Sequence, residues 1–524
     1  MIFHTWVFVV FFLIVYPVYV LIRGNNRAMN IWLLIASYVF YGWWNPLYLI
    51  LLFGSSAVDY LMVELMERSR RRKLWLIISL VSNFGLLGYF KYSGFITDNL
   101  NAVFGWTLQA PDVFLPHCVT DNLNAALGFL GIPYAVRDPG VLLPIGISFH
   151  TFRSMSYTID AYRGVIQTER SFIRFLTFVS FFPQLVAGPI ERAKNLLPQL
   201  QRTPRIVGAD LSEGFSHFLV GFFKKVALAD YLALYVDKVY GAPGEYQGPA
   251  LLLATFAFAW QIYFDFSGYT DMARGIAKMM GFRLMLNFNN PYVATSLGDF
   301  WNRWHISLST WFKDYLYIPL GGNRHGKLAT YRNMLLTMVI SGVWHGAAWT
   351  FVIWGALHAL GRVLTRELEQ SAVYREHVPK FAKQLFVFVF VNFCWIFFRA
   401  QGLHNAWLVV TRIFTSGWAD QQFPAAMADL ILSVCSGWPD PHFPAAMAAL
   451  ILSVWSGWAD PQFPVMMAVL VLAVWAYQLV YASEIKARLL LQLAPVRVGL
   501  AALMAAYLLV VAQPGSKAFI YFQF

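Results

Sequence analysis

From Met334 to Leu360 the chain reads MLLTMVISGVWHGAAWTFVIWGALHAL, without one acid, lysine or arginine. Runs of this kind recur along most of the 524 residues, and no water-soluble domain can cover so many of them. Only 13% of residues are charged, against about 25% in soluble proteins, so lipid must be the main solvent. Each crossing needs ~20 apolar residues. The candidates are 3–22, 30–44, 47–66, 74–92, 171–188, 213–236, 249–266, 330–344, 346–362, 384–399, 464–482 and 497–512, with shorter pieces at 141–152 and 424–454. The runs are unbroken and lack period-two alternation, which selects helices over barrel strands. The expected fold is an all-α polytopic membrane protein. It has roughly a dozen transmembrane helices in one domain spanning 1–524, plus re-entrant or interfacial helices.

The net charge of +12 invites a nucleic-acid reading. The basic residues, however, lie in short loops between apolar runs, as cytosolic loops do. Arg23 and Arg27 follow the first run and RSRRRK (68–73) follows the third. Two crossings between these loops put the N-terminus outside. Residues 1–22 lack a basic start and an A-x-A site, so they read as a retained first helix. Residues 95–140 read as an outer mixed segment, and 189–212 and 363–383 as cytosolic connections. Cys118, Cys394 and Cys435 show no paired spacing, which supports neither a disulfide framework nor a zinc site. A 20-residue unit, SGWADQQFPAAMADLILSVC, repeats three times over 416–475, the mark of tandem duplication.

Ionisable groups inside apolar segments mark sites or pathways. Asp271 and Arg274, three apart on one helical face, suit an ion pair. Asp265, among Tyr263, Phe264 and Phe266, can anchor another helix or touch substrate. The segment DFWNRWHISLSTWFKDYLYIPLGGNRHG (299–326) mixes aromatics with Arg303, His305, Ser307, Lys313 and Arg324. It reads either as an interfacial helix with snorkelling cations or as a cavity lining whose cations receive a phosphorylated ligand. No P-loop or GxGxxG accompanies it. Among eleven histidines, His305 and His345 stand out. His345, between Trp344 and Gly346, has no acid nearby; buried, it stays neutral, the form a general base requires. Gly342, Gly346, Ala347 and Ala348 leave room for a helix or a thin ligand. A core histidine bonded to a backbone carbonyl is the alternative. His358, thirteen residues on, falls about 220° away on a continuous helix and reads as a packing or interhelical hydrogen-bonding residue. No HExxH motif and no His/Asp/Glu cluster is present, so a metal site is not expected; nor does an HxxxxD box start at His305 or His345, where the fifth residues on are Thr310 and Thr350.

Five ordered segments, LPIGISFHTFRSMSYTIDAYRG (143–164), FFPQLVAGPIERAKNLLPQL (181–200), YFDFSGYTDMARGIAKMMGF (263–282), FWNRWHISLSTWFKDYLYIPLGGNR (300–324) and SGVWHGAAWTFVIWGALHAL (341–360), together resemble the membrane-bound O-acyltransferase (MBOAT) family. Within it they resemble the bacterial alginate O-acetyltransferase branch. The resemblance implies helices around a tunnel, a catalytic histidine at His345 in the W-H-G motif, and a second at His305. His150 stands where the resemblance implies tyrosine. It further implies acyl transfer across a bacterial inner membrane. The donor would be acetyl-CoA, as co-substrate rather than bound cofactor, with its phosphates met by Arg303, Lys313 and Arg324. Asp265 and Ser307 would serve binding, and Trp344 would exclude water. The acceptor would be an exported polysaccharide, or a periplasmic or extracellular carrier protein; nucleic acid has no place in it. A transporter or flippase, or a non-catalytic subunit of a polysaccharide export complex, is the alternative function. A transporter predicts two-fold hydropathy repeats, and the one repeat here is short and C-terminal.

Overall fold

The computed structural model describes residues 1–46, 48–108, 146–185 and 188–416, with the isolated positions 499, 502 and 504. Almost all of the 416–475 repeat, the runs at 464–482 and 497–512, Cys118, Cys435 and most of the outer segment expected at 95–140 lie outside the described residues. Among the described residues every regular element is helical.

Helix α1 (Trp6–Ile22) starts where the Thr5 side chain accepts from Phe8 N–H, and α2 (Asn26–Gly42) where Asn25 accepts from Arg27 and Ala28 N–H. Helix α3 is Tyr48–Arg68. Helix α4 (Arg72–Leu87) runs through a π-helical turn, Gly88–Tyr92, into α5 (Ser93–Phe104), so the outer segment expected from residue 95 begins as helix. Helix α6 is Ile147–Tyr162. Buried Asp59 of α3 ties three helices: it accepts from Ser79 (2.5 Å) and Asn83 (2.8 Å) of α4 and from Ser154 of α6. The run expected at 171–188 breaks instead: α7 (Phe172–Ser180) stops at Phe181, and a four-residue turn carrying Pro183 follows.

Helices α8 (Ala193–Leu200), α9 (Gly208–Phe223) and α10 (Asp230–Gly241) follow, the last two joined by a π-helical stretch, Lys224–Ala229. Helix α11 (Gly248–Met279), 32 residues long, is the buried centre of the protein. Two glycine pairs press α9 and α11 backbone to backbone. A Cβ on Gly214 would stand 2.7 Å from the Gly275 oxygen, and one on Gly221 2.4 Å from the Gly268 oxygen. Just beyond this seam Lys225 is buried against Asp265 (2.7 Å) and Asp230 (2.8 Å). Asp265 thus anchors one helix to another. Asp271 pairs with Lys224 (2.7 Å) as well as with Arg274 (3.8 Å).

The polar segment folds as two short helices, α12 (Leu297–Arg303) and α13 (Ile306–Phe312), and a π-helical turn, Lys313–Tyr317. Helices α14 (Gly326–His345) and α15 (Trp349–Leu368) form a hairpin, followed by α16 (Lys380–Arg399) and α17 (Gly402–Thr415). By length and composition four described stretches can cross a membrane: Tyr48–Arg68, Arg72–Phe104, Gly248–Met279 and Lys380–Arg399. The other expected runs that fall among the described residues are helical too, but they are shorter, broken or more polar.

Removing one partner of a buried ion pair costs about 3–5 kcal/mol. Lys225→Met should therefore lower stability by about that much in denaturant unfolding of the detergent-solubilised protein. The triple change Lys225→Met, Asp265→Leu, Asp230→Asn should recover most of the loss.

Candidate active site

The site forms where α12 gives way to α13 and where α14 gives way to α15. His345 is the last residue of α14; Gly346, Ala347 and Ala348 reverse the chain, and α15 returns alongside. This return is close because glycine lines it. A Cβ on Gly342 would lie 2.1 Å from the Phe351 carbonyl oxygen, and one on Gly355 2.4 Å from that of Met338. Of the two occupants the sequence allows for this space, a helix or a thin ligand, the structure holds the helix: Phe351 of α15 fills it at Gly342 and, with its ring, at Gly346. The reversal also corrects the 220° separation of His345 and His358, which assumes one continuous helix. His358 lies buried among Phe300, Trp301 and Trp354, and neither ring nitrogen has a hydrogen-bond partner among the described residues. That makes it a packing residue.

The second histidine sits at the corner between α12 and α13. His305 is fully buried and takes a left-handed backbone, φ 43° and ψ 53°. Such a conformation costs of order 1–3 kcal/mol in a non-glycine residue and persists only when neighbours impose it. The neighbour is Asn287. Its backbone oxygen accepts from Ile306 N–H (2.9 Å), and its side-chain oxygen from Ser307 N–H (3.2 Å) and the Ser307 hydroxyl (2.9 Å). Ser307 Oγ in turn accepts from Ile190 N–H (3.0 Å). The same Asn287 Oδ1 lies 3.1 Å from His305 Nδ1. An atom that accepts a backbone N–H is the amide oxygen, not the nitrogen. His305 Nδ1 must therefore carry the proton and donate it. Nε2 then holds a lone pair, and it has no hydrogen-bond partner among the described residues.

The two imidazole rings lie 6.5 Å apart, centre to centre. Around His345 stand Trp344 (4.9 Å), Trp354 (5.2 Å) and Phe398 (5.4 Å); around His305, Phe266 (4.6 Å), Phe149 (6.2 Å) and Phe288 (6.4 Å). Beside them lies a cavity of about 270 Å³, lined by Ile306, Lys313, Tyr317, Met338, Ser341 and Arg362 among others. Its wall includes the residue after His305 and, through Ser341, the helical turn before His345. Lys313 and Arg362 make no ion pair among the described residues, so two positive charges meet this cavity without a carboxylate.

The arrangement thus groups His345, His305, Trp344, Ser307 and Lys313. Ser307 faces Asn287 and Ile190 rather than the cavity. Arg303 is held by Asp299 (2.7 Å), Arg324 lies exposed on the turn before α14, and Asp265 is paired with Lys225. Sequence reasoning missed Asn287, Arg362 and Lys91. Lys91 donates to the Trp344 and His345 carbonyls at 2.8 Å each, so the charge-free run gains an ammonium from another helix. Its signal was present: a lysine inside the apolar run 74–92. His150 is buried with Nε2 2.8 Å from Ser55 Oγ.

A family model described as "MBOAT, membrane-bound O-acyltransferase family" matches residues 146–409, from α6 into α17. The chain is 42% identical over 421 residues to the "Probable alginate O-acetylase AlgI" of Pseudomonas aeruginosa, covering 80% of this chain and 75% of that protein. It is 35% identical over 412 residues to the peptidoglycan O-acetyltransferase of Helicobacter pylori, 73% of each. It is 31% identical over 242 residues to the teichoic acid D-alanyltransferase of Bacillus subtilis, 44% of this chain and 61% of that one. With half the chain matched by the family and relatives at this level of identity, the protein belongs to the membrane-bound O-acyltransferase family and is a membrane acyltransferase.

Proposed function

We propose that the protein moves an acetyl group from a cytosolic thioester, acetyl-CoA, to a hydroxyl of an exported polysaccharide, directly or through the hydroxyl of a partner protein. The observation that carries this is the pair of buried imidazoles 6.5 Å apart, beside a cavity bearing two cations that make no ion pair among the described residues. The relatives' named substrates, alginate and peptidoglycan, supply the acceptor class. In this reading the donor's phosphates meet Lys313 and Arg362, and its thioester extends along the α14 face past Met338 and Ser341. The chain crosses a bacterial inner membrane roughly a dozen times with its N-terminus outside, and its helices enclose a tunnel joining the two sides.

The chemistry runs in one displacement. The acceptor hydroxyl oxygen attacks the thioester carbonyl carbon while His345 takes the hydroxyl proton. The C–S bond breaks, the sulfur leaves as thiolate, and the imidazolium returns the proton to it. An O-acetyl ester and a free thiol remain. His305, with a lone pair on Nε2, cannot polarise the thioester oxygen, which needs a donor; it suits accepting a hydrogen bond from a second hydroxyl of the acceptor, whose reacting hydroxyl gives its one proton to His345. The aromatic rings around both histidines keep water from the thioester.

A positioned general base is worth ~10²–10⁴ in rate. His345→Ala should abolish polymer O-acetylation, measured as ester content, with normal protein level and normal polymer export. Normal acetylation in this variant would favour a transporter or a non-catalytic export subunit. Asn287→Leu should lower kcat about 100-fold, because the His305 tautomer is no longer fixed. Asn287→Asp, which still accepts the Nδ1 proton, should retain well over a tenth of wild-type kcat in the same assay. Lys313→Ala with Arg362→Ala should raise KM for acetyl-CoA about tenfold with kcat within a factor of three. An unchanged KM would place the donor elsewhere.

A further inference from the structure

A helix leaves its last four carbonyls without partners, and inside a membrane protein water does not reach them. The helix bearing His345 ends in this way, and its four carbonyls can be followed one by one. Gly342 accepts from Gly346 N–H at 3.2 Å. Val343 accepts from the Tyr92 hydroxyl at 3.1 Å. Trp344 and His345 both accept from the Lys91 ammonium, at 2.8 Å each. Three of the four are thus satisfied by two consecutive side chains of the π-helical turn Gly88–Tyr92. The extra residue of a π turn re-aims side chains relative to a regular helix, and such turns gather at functional sites. The next helix along the same rod holds the far side of the reversal: Trp349 Nε1 donates to Asn99 Oδ1 at 2.9 Å, and its ring meets Phe95 edge-on at 5.9 Å.

We propose that Lys91 is a positioning residue for His345: its ammonium, presented by the π turn of the α4–α5 rod, clamps the final turn of α14 and holds the imidazole in place. The functional half of this inference rests on His345 being the base. A terminal helical residue is the one most prone to fraying, and here that residue carries the reactive side chain. A cation also opposes the negative end of the helix dipole. Neither the tyrosine nor the backbone can supply two hydrogen bonds and a positive charge from one atom; lysine does. The contact spans 254 residues of sequence, so it also fixes the α4–α5 rod against the α14–α15 hairpin.

The test uses the full-length protein in phosphatidylethanolamine/phosphatidylglycerol nanodiscs, comparing wild type with Lys91→Met, Lys91→Arg, Tyr92→Phe and His345→Ala. Hydrogen exchange over 341–348 reads the clamp without reference to activity. Exchange there should rise at least tenfold in Lys91→Met, less in Tyr92→Phe, and return toward wild type in Lys91→Arg. Turnover with acetyl-CoA and oligomannuronate, per folded protein, reads the consequence. Lys91→Met should lower kcat at least 30-fold with KM for acetyl-CoA within twofold, and Lys91→Arg should recover a third or more of wild-type kcat. Unchanged exchange in Lys91→Met overturns the clamp. Raised exchange with kcat within threefold of wild type reduces Lys91 to a structural cap and overturns the positioning role. A wild type inactive with these probes counts against direct transfer from acetyl-CoA to the polymer, a fully active His345→Ala counts against His345 as the base, and in either case the exchange arm still decides the clamp.

Discussion

Where water is scarce, every backbone group at a helix end must find a partner within the protein, and this demand organises the structure around its site. The chain does not simply cross and return; it breaks helices at His305 and at His345, the two places where chemistry is expected. Each break exposes carbonyls and N–H groups to a medium that cannot hydrogen-bond them. Asn287 answers at the first with four contacts from one residue, and the Lys91–Tyr92 pair answers at the second. The side chains that repair the backbone are those that orient the imidazoles. Support and orientation are therefore one set of bonds.

Close helix packing sets the frame in which these repairs can work. The glycine pairs 214/275 and 221/268 bring α9 and α11 into backbone contact, and Gly342 and Gly355 do the same for α14 and α15. Apolar area offers no preference between a neighbouring helix and lipid, so such contacts rely on van der Waals fit and on polar ties. The ties are present at each level: Asp59 with Ser79 and Asn83, Lys225 with Asp265 and Asp230, Arg399 with Asp237. Against this background, Lys313 and Arg362 meet the same cavity with no carboxylate partner among the described residues.

The sequence disclosed the helical class and singled out both histidines because these signals are local: long apolar runs, an imidazole where charge is otherwise absent at His345, and one among mixed aromatics and cations at His305. Asp265 was legible as an anchor, though not which lysine it met. The candidate crossings 330–344 and 346–362 already divide the chain at His345, as the structure does, but the 220° separation of His358 runs one helix through that division. Nothing local in Gly-Ala-Ala, which contains no proline, forces the break, and the separation misplaces His358 for that reason. Lys91, Asn287 and Arg362 escaped for a different reason. Their meaning lies in partners 254, 18 and many tens of residues away, and only the fold brings those together. An isolated Lys91 in an apolar run carried a warning, but nothing nearby said what it faced.

The left-handed backbone at His305 sets stability and activity against each other at a single residue. Glycine would adopt φ 43° without strain, and asparagine with little, whereas histidine holds it only under the grip of Asn287. A population of variants sorted for thermal robustness alone would drift toward glycine or asparagine at this position. One sorted for turnover would keep the imidazole and its strain. The residue identity at 305 therefore records which of the two pressures has governed a sequence.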